Sequence, residues 1–153
     1  MSKRYDICGI GNALVDKQYN VSFELLKELN LTHGQMSLAT QDEQDRLIDF
    51  LAERKIPFIS SCGGSATNTL VASASFGSKC IQLCRVANDS AGKTYYKNLS
   101  DFHVDSYQPK TPPESSLPTG SCVVLVTPDS QRTMSTFLGI SSKMTTNFIF
   151  CFT

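Results

Sequence analysis

What this chain lacks narrows its identity first. It has no excess of either charge, because 14 basic residues balance 14 acidic ones. Neither a nucleic acid nor an anionic membrane surface would therefore meet an attracting field. Histidine occurs only at His33 and His103, and none of the six cysteines forms a Cys-x-x-Cys pair. A zinc site thus lacks ligands at the usual spacing. No apolar run reaches transmembrane length, and the start, Met-Ser-Lys-Arg-Tyr-Asp, leads into apolar residues broken by Gly, Asn and Asp16, unlike a secretory leader. The expectation is a cytoplasmic protein with no membrane or nucleic-acid partner. In that setting the Asn-x-Ser/Thr triplets at Asn20, Asn30, Asn88 and Asn98 carry no glycosylation meaning. Cys8, Cys62, Cys80, Cys84, Cys122 and Cys151 read as small core residues of a reducing compartment. There is no internal repeat, and 153 residues allow one domain with a real core but not comfortably two.

What is present is an alternation of strand-like and helix-like segments. Residues 5–10 read as a buried strand ending in Gly9-Ile10-Gly11-Asn12, and residues 15–21 as a second, more exposed strand. Ser22 caps a short helix to Asn30, and residues 35–39 suit another short strand. Thr40 caps the clearest helix, residues 41–55, with Asp42 and Glu43 in its first turn and Arg54 and Lys55 in its last. Leu47, Ile48, Leu51 and Ala52 form its apolar stripe, and Pro57 ends it. A strand-like stretch, residues 57–61, then meets a glycine pair and a helix rich in Ala and Ser. Residues 79–86 form a strand, 90–102 a helix, 104–107 a short strand and 108–118 a proline-bearing loop. Residues 122–127 and 132–138 flank Pro128-Asp129-Ser130 as a hairpin. The expected fold is α/β, a parallel Rossmann-like sheet flanked by helices, with a small β excursion beside it.

Three runs imitate cofactor motifs. Gly9-Ile10-Gly11-Asn12-Ala13-Leu14 opens like a dinucleotide fingerprint, but Leu14 stands at the third glycine. Residues 87–94 end in Gly92-Lys93-Thr94 like a P-loop, yet Ala87 replaces the first glycine and Asp89 puts a carboxylate where phosphate would lie. Asp89 or Ser90 reads better as a helix cap. Cys80 and Cys84 share strand parity and read as buried thiols rather than a redox pair.

Two turns remain: Gly11-Asn12-Ala13-Leu14-Val15-Asp16, and Gly63-Gly64-Ser65-Ala66-Thr67-Asn68. Each lies just past the carboxyl end of an expected strand, where open α/β sheets bind ligands. Asp16 offers two acceptors to a vicinal diol, Asn12 and Asn68 offer amides, and Gly63 and Gly64 offer backbone N–H groups near a helix start. This is chemistry for hydroxyls rather than anions. Ordinary turn duties for the same residues are an even alternative on the residues alone.

These segments resemble the N-terminal half of the ribokinase/PfkB family of sugar and nucleoside kinases, most closely its adenosine-kinase-like branch. The likeness extends through Arg85-Val86-Ala87-Asn88-Asp89-Ser90-Ala91-Gly92 and the hairpin from Thr119 to Met134, and covers residues 5–142. It implies that Asp16 and Asn68 hold sugar hydroxyls, with Asn12 and the Gly63–Gly64 backbone completing the pocket. The short strands would form a lid, and Arg132 would reach the site from the hairpin or serve the surface. It also implies ATP and Mg2+ as cofactors, a small-molecule sugar or nucleoside as partner, and in full-length relatives a dimer through the lid.

The family's general base lies in a Gly-Ala-Gly-Asp segment of its second half, and no such segment occurs here. Residues 1–142 therefore read as a partial kinase domain and residues 143–153 as a tail foreign to the family, the product of a frameshift, early stop or fragmentary gene model. No catalytic residue is expected in this chain. A non-catalytic sugar- or nucleoside-binding remnant is the alternative, and a P-loop NTPase a distant third.

Overall fold

The alternation of segments read from the sequence is realised in the computed structural model, which describes residues 4–107 and 116–146. In chain order the elements are β1 (Ile7–Ile10), β2 (Leu14–Asn20), α1 (Phe23–Glu28), β3 (Met36–Leu38), α2 (Gln41–Glu53), β4 (Phe58–Gly63) and α3 (Ser65–Ser75). They continue as β5 (Cys80–Leu83), α4 (Ser90–Asp101), β6 (Val104–Ser106), β7 (Thr119–Val126), β8 (Arg132–Gly139) and a 3-10 turn, Ile140–Lys143. Residues 108–115 of the expected 108–118 loop and most of the tail, from 147 on, lie outside the described residues. The chain divides into two units: Met1–Val15 with Cys62–Gly120 and Leu138–Thr153, and Asp16–Ser61 with Ser121–Phe137.

The first unit holds a three-stranded sheet in the order β1-β5-β6, parallel throughout. Strand β5 is central and all four of its residues are buried, as a strand covered on both faces requires. Its core joins Leu70 of α3, Tyr95 and Leu99 of α4, and Cys62, Cys80 and Cys84. Helix α3 tolerates its many hydroxyls because Thr69, Ser73 and Ser75 each bond a carbonyl one turn back. It closes at Gly77, whose φ is 92°, with Ser78 N–H bonded to Ser73 O and Gly77 N–H to Ala74 O.

The second unit centres on a five-stranded sheet in the order β3-β8-β7-β2-β4, with β3 parallel to β8. Its core gathers Tyr19, Leu26, Leu47, Leu51, Val123 and Leu125. Each such buried apolar side chain stabilises by roughly 1.5–3 kcal/mol. The hairpin β7–β8 turns at Asp129, whose Oδ1 accepts from the Thr127 hydroxyl and the Gln131 N–H. Thr40 and Glu43 form a reciprocal capping box at the start of α2.

Several local expectations shift. Helix α2 stops at Glu53, two residues early, so Arg54 and Lys55 lie beyond its last turn. Lys55 takes φ 54°, with Ile56 N–H bonded to Leu51 O, which ends the helix by backbone geometry before Pro57 is reached. Ala52 is exposed and the inner face is completed by Gln44 instead. Gln44 is buried but satisfied, its amide donating to Ser121 and accepting from the Ser135 hydroxyl. Cys8 is exposed, and Cys84 lies one residue past the end of β5. Cys62, Cys80, Cys84 and Cys122 are buried, as the sequence reading expects. Among the described residues no helix is long and apolar enough to cross a membrane.

Candidate functional site

Strand β4 delivers the chain into Gly63, which is buried, and Gly64, which is the N-cap of α3 with φ 98°. No side chain caps this helix. The first N–H groups of any helix have no partner inside it, so here they depend on whatever approaches from outside. The approach from one side is backbone: a Cβ on Gly64 would sit 2.5 Å from the Asn12 carbonyl oxygen. Only glycine fits at that contact, by space and by φ. The structure thus brings together Asn12, Gly63, Gly64 and Asn68. Both amide side chains are exposed, and neither takes part in a hydrogen bond among the described residues.

The other glycines of the first turn serve this arrangement. A Cβ on Gly9 would lie 2.6 Å from Leu70 Cδ1, and one on Gly11 would lie 2.8 Å from Ala66 Cβ. Their bare backbone lets α3 seat against β1. No helix follows the run Gly9-Ile10-Gly11, because β2 begins at Leu14, so the dinucleotide reading has no helix to work with.

In the second unit Asp16 is half-buried on β2, and no hydrogen bond to its carboxylate occurs among the described residues. Burial raises its pKa above the ordinary carboxylate value, and the positive charge of Arg132 partly offsets this. Arg132, at the start of β8, is exposed. The pair is an under-solvated acceptor with a cation near enough to favour its charged form.

The run that imitates a P-loop is closed by its own side chain. Asp89 caps α4, its Oδ1 accepting from Gly92 N–H at 2.7 Å. The same carboxylate accepts from Thr119 N–H at 2.8 Å and from the Thr119 hydroxyl at 2.7 Å, while Thr119 Oγ1 accepts from Ala87 N–H. Burial pushes Asp89 up, but the N–H groups of Thr119 and Gly92 and the Thr119 hydroxyl outweigh it and hold the carboxyl below its usual range. Gly92 is packed against the Ala87 carbonyl, and Lys93 is exposed. The donors that a phosphate would need are already taken.

Sequence reasoning missed four residues around the open turn. Thr67 and Tyr95 share a buried hydrogen bond of 2.6 Å, and Asn98 Oδ1 accepts from Cys62 N–H at 3.0 Å. Gln82, fully buried on β5 beside Gly9, has both amide atoms without a partner among the described residues.

The comparisons agree with this architecture. The model of the pfkB family carbohydrate kinase matches residues 32–150. Among solved structures, an adenosine kinase from Sinorhizobium meliloti shares 29% identity over 93% of this chain and 42% of its own, with a TM-score of 0.80. A probable sugar kinase from Rhizobium etli CFN 42 shares 27% identity over 94% of this chain and 42% of its own, with a TM-score of 0.81. Adenosine kinase from Schistosoma mansoni in complex with adenosine has the same fold, at 24% identity, 93% and 40% coverage, and a TM-score of 0.75. No curated protein matches the chain. The chain spans about 42% of the length of the first of these structures.

Proposed function

The chain belongs to the pfkB family of carbohydrate kinases, and from that premise we propose that residues 1–142 are the substrate-binding and lid part of an ATP-dependent sugar or nucleoside kinase acting on a hydroxymethyl group. The observation that carries this reading is the start of α3, where a glycine cap without a side-chain cap leaves backbone donors open next to two exposed amides, Asn12 and Asn68. A hydroxyl both donates and accepts, which suits N–H groups together with amide oxygens. The Asp16 carboxylate, raised by burial with Arg132 in partial compensation and without a hydrogen-bonded partner among the described residues, is an acceptor of the kind a vicinal diol uses.

The fit to the cofactors is poor. The P-loop-like run has its Gly92 and Ala87 N–H donors taken by Asp89 and Thr119, and among the described residues no three His, Cys, Asp or Glu side chains converge on a metal position. The residues present are therefore assigned to hydroxyl binding alone. With no Gly-Ala-Gly-Asp segment in the chain, there is no assigned base for the acceptor hydroxyl. Binding without phosphoryl transfer is the expected behaviour.

A thermal-shift panel of ribose, fructose, adenosine and inosine, run beside an ATP–Mg turnover assay, tests both halves. A ligand present at a hundred times its Kd stabilises by about 2.7 kcal/mol. The expected result is stabilisation by one compound and no turnover. A flat panel rejects the binding role, and turnover that survives removal of host kinases rejects the assignment to binding alone.

A further inference from the structure

Helix α4 presents Tyr95 and Asn98, three residues apart and so on one face, to the two segments that bracket the glycine pair. Asn98 holds the Cys62 N–H at 3.0 Å, immediately before Gly63. Tyr95 holds the Thr67 hydroxyl at 2.6 Å, in the first turn of α3 and immediately before Asn68. Thr67 and Tyr95 are both 0% exposed. The Cys84 thiol lies near enough to Tyr95 for each to influence the other's ionisation. The Thr67 and Tyr95 hydroxyls satisfy each other, one donating and the other accepting. Burial pushes the Cys84 thiol up to about 12, so the network is neutral and needs no counter-charge. Thr67 Oγ1 would be 3.6 Å from a Cβ on Gly64, with the Asn12 carbonyl close to that same Cβ. The anchors therefore end directly behind the turn.

Two consecutive glycines have a wide choice of backbone conformation. Left alone, they would scatter the directions of their N–H groups. Fixing Cys62 on one side and Thr67 on the other leaves only four residues between the anchors.

We infer that Tyr95 and Asn98 are positioning residues that hold the Gly63–Gly64 turn and the first turn of α3 in the one geometry that directs their N–H donors and Asn68 outward. They act on a bound hydroxyl compound without touching it, by removing the ordering that binding would otherwise require. The ligand side of this inference rests on the hydroxyl-binding role proposed above; the anchoring side rests on the hydrogen bonds alone.

The test compares Tyr95→Phe, Asn98→Leu and Asn98→Asp in the 153-residue chain. The last keeps the acceptor for Cys62 N–H. Amide hydrogen exchange is read at Asn68, whose N–H bonds Gly64 O, and is normalised to Leu51 in α2. Affinity is read by calorimetry with whichever panel compound binds the unaltered chain. Tyr95→Phe and Asn98→Leu should speed Asn68 exchange at least fivefold beyond any change at Leu51 and weaken binding at least fivefold, while Asn98→Asp keeps both near the starting values. Asn68 exchange that merely follows Leu51 in both variants overturns the inference. So does faster exchange with unchanged affinity. A chain that binds none of the four compounds rejects the hydroxyl-binding role instead, and the exchange result then decides the anchoring by itself.

Discussion

Two strand-to-helix turns in one unit begin their helices in opposite ways. After β4, a glycine caps α3 and no side chain makes a capping hydrogen bond. Before α4, Asp89 caps the helix and its carboxylate gathers Gly92 and Thr119. In sequence the second turn looks the more functional, since it ends in Gly-Lys-Thr. In three dimensions it is a clamp, and the plainer glycine pair is the open one. A glycine-bearing loop can hold a ligand only where its donors are not already paired. The same contrast divides two aspartates. Asp89 is held below its usual pKa by three hydrogen bonds, and Asp16 is raised by burial with only the field of Arg132 in compensation.

The clamp should yield the largest stability effect. Asp89→Ala removes a cap and two bonds to Thr119, and should lower unfolding stability by about 2–4 kcal/mol in chemical denaturation, with ligand affinity of the folded fraction unchanged. The pH dependence follows from the direction of the shift. A carboxyl whose folded pKa is depressed stabilises fully above its unfolded value, and loses that contribution as pH falls through the folded one. Acid destabilisation below about pH 4 should therefore be weaker in the variant. A stable Asp89→Ala chain that binds ATP more tightly would reopen the Lys93 loop as a nucleotide site.

Gly64→Ala probes the open turn. The added Cβ meets the Asn12 carbonyl at 2.5 Å in a left-handed backbone, and such strain costs on the order of 1–3 kcal/mol. Gly77→Ala is the control, since its φ is equally positive but nothing lies within 4 Å. Only Gly64→Ala should also abolish ligand binding, as measured by calorimetry. Equal effects at both glycines would mean that backbone strain alone is at work and that the contact with Asn12 is unimportant.

How much of this was legible in the sequence depends on the range of each interaction. The order of elements, the Ser22, Thr40 and Asp89 caps, the hairpin and the glycine turn all announce themselves within a few residues. The links Thr67–Tyr95, Cys62–Asn98 and Ser135–Gln44 join residues 28, 36 and 91 apart. Nothing local marks either partner. Gln44 falls outside the apolar stripe read for its helix, because what holds it inside is hydrogen bonding to the distant Ser121 and Ser135. Gln82 breaks the pattern altogether, as a buried amide in a strand with no partner among the described residues for either of its polar atoms. Its place beside Gly9 explains how it fits, since a Cβ on Gly9 would crowd its Oε1, but not why it is polar.

Asp16→Asn tests the other half of the aspartate contrast. Burial raises the folded pKa of Asp16, so ionising it costs the fold, and stability from this group declines as pH rises from the unfolded value through the folded one. The neutral amide should remove that slope and stabilise the empty chain at neutral pH by no more than about 1 kcal/mol after solvent screening. Ligand affinity should fall by about 1.5–3 kcal/mol, the usual loss for a charge-assisted hydrogen bond. Opposite signs in the melting and binding curves are the signature of a carboxylate held for a ligand. A variant that loses stability instead would make Asp16 a structural residue like Asp89.

The smallest expected effect sharpens the comparison most. Lys93 is exposed on the second residue after Ala91 in the first turns of α4, and its backbone N–H is bonded to Asp89 O as part of the helix. Among the described residues its ammonium makes no hydrogen bond or ion pair. Surface substitutions of this kind change stability by less than about 0.5 kcal/mol, so Lys93→Ala should melt like the unaltered chain and bind each compound of the panel equally well. A P-loop lysine behaves differently, because it sits at the β- and γ-phosphates and its removal weakens nucleotide binding directly. Titration of ATP–Mg into both proteins separates the two cases. Equal heats, within error, leave the Gly-Lys-Thr run as a capped helix start. A tenfold weaker ATP affinity in the variant would show that the donors held by Asp89 rearrange for phosphate, and would reverse the assignment of the two turns.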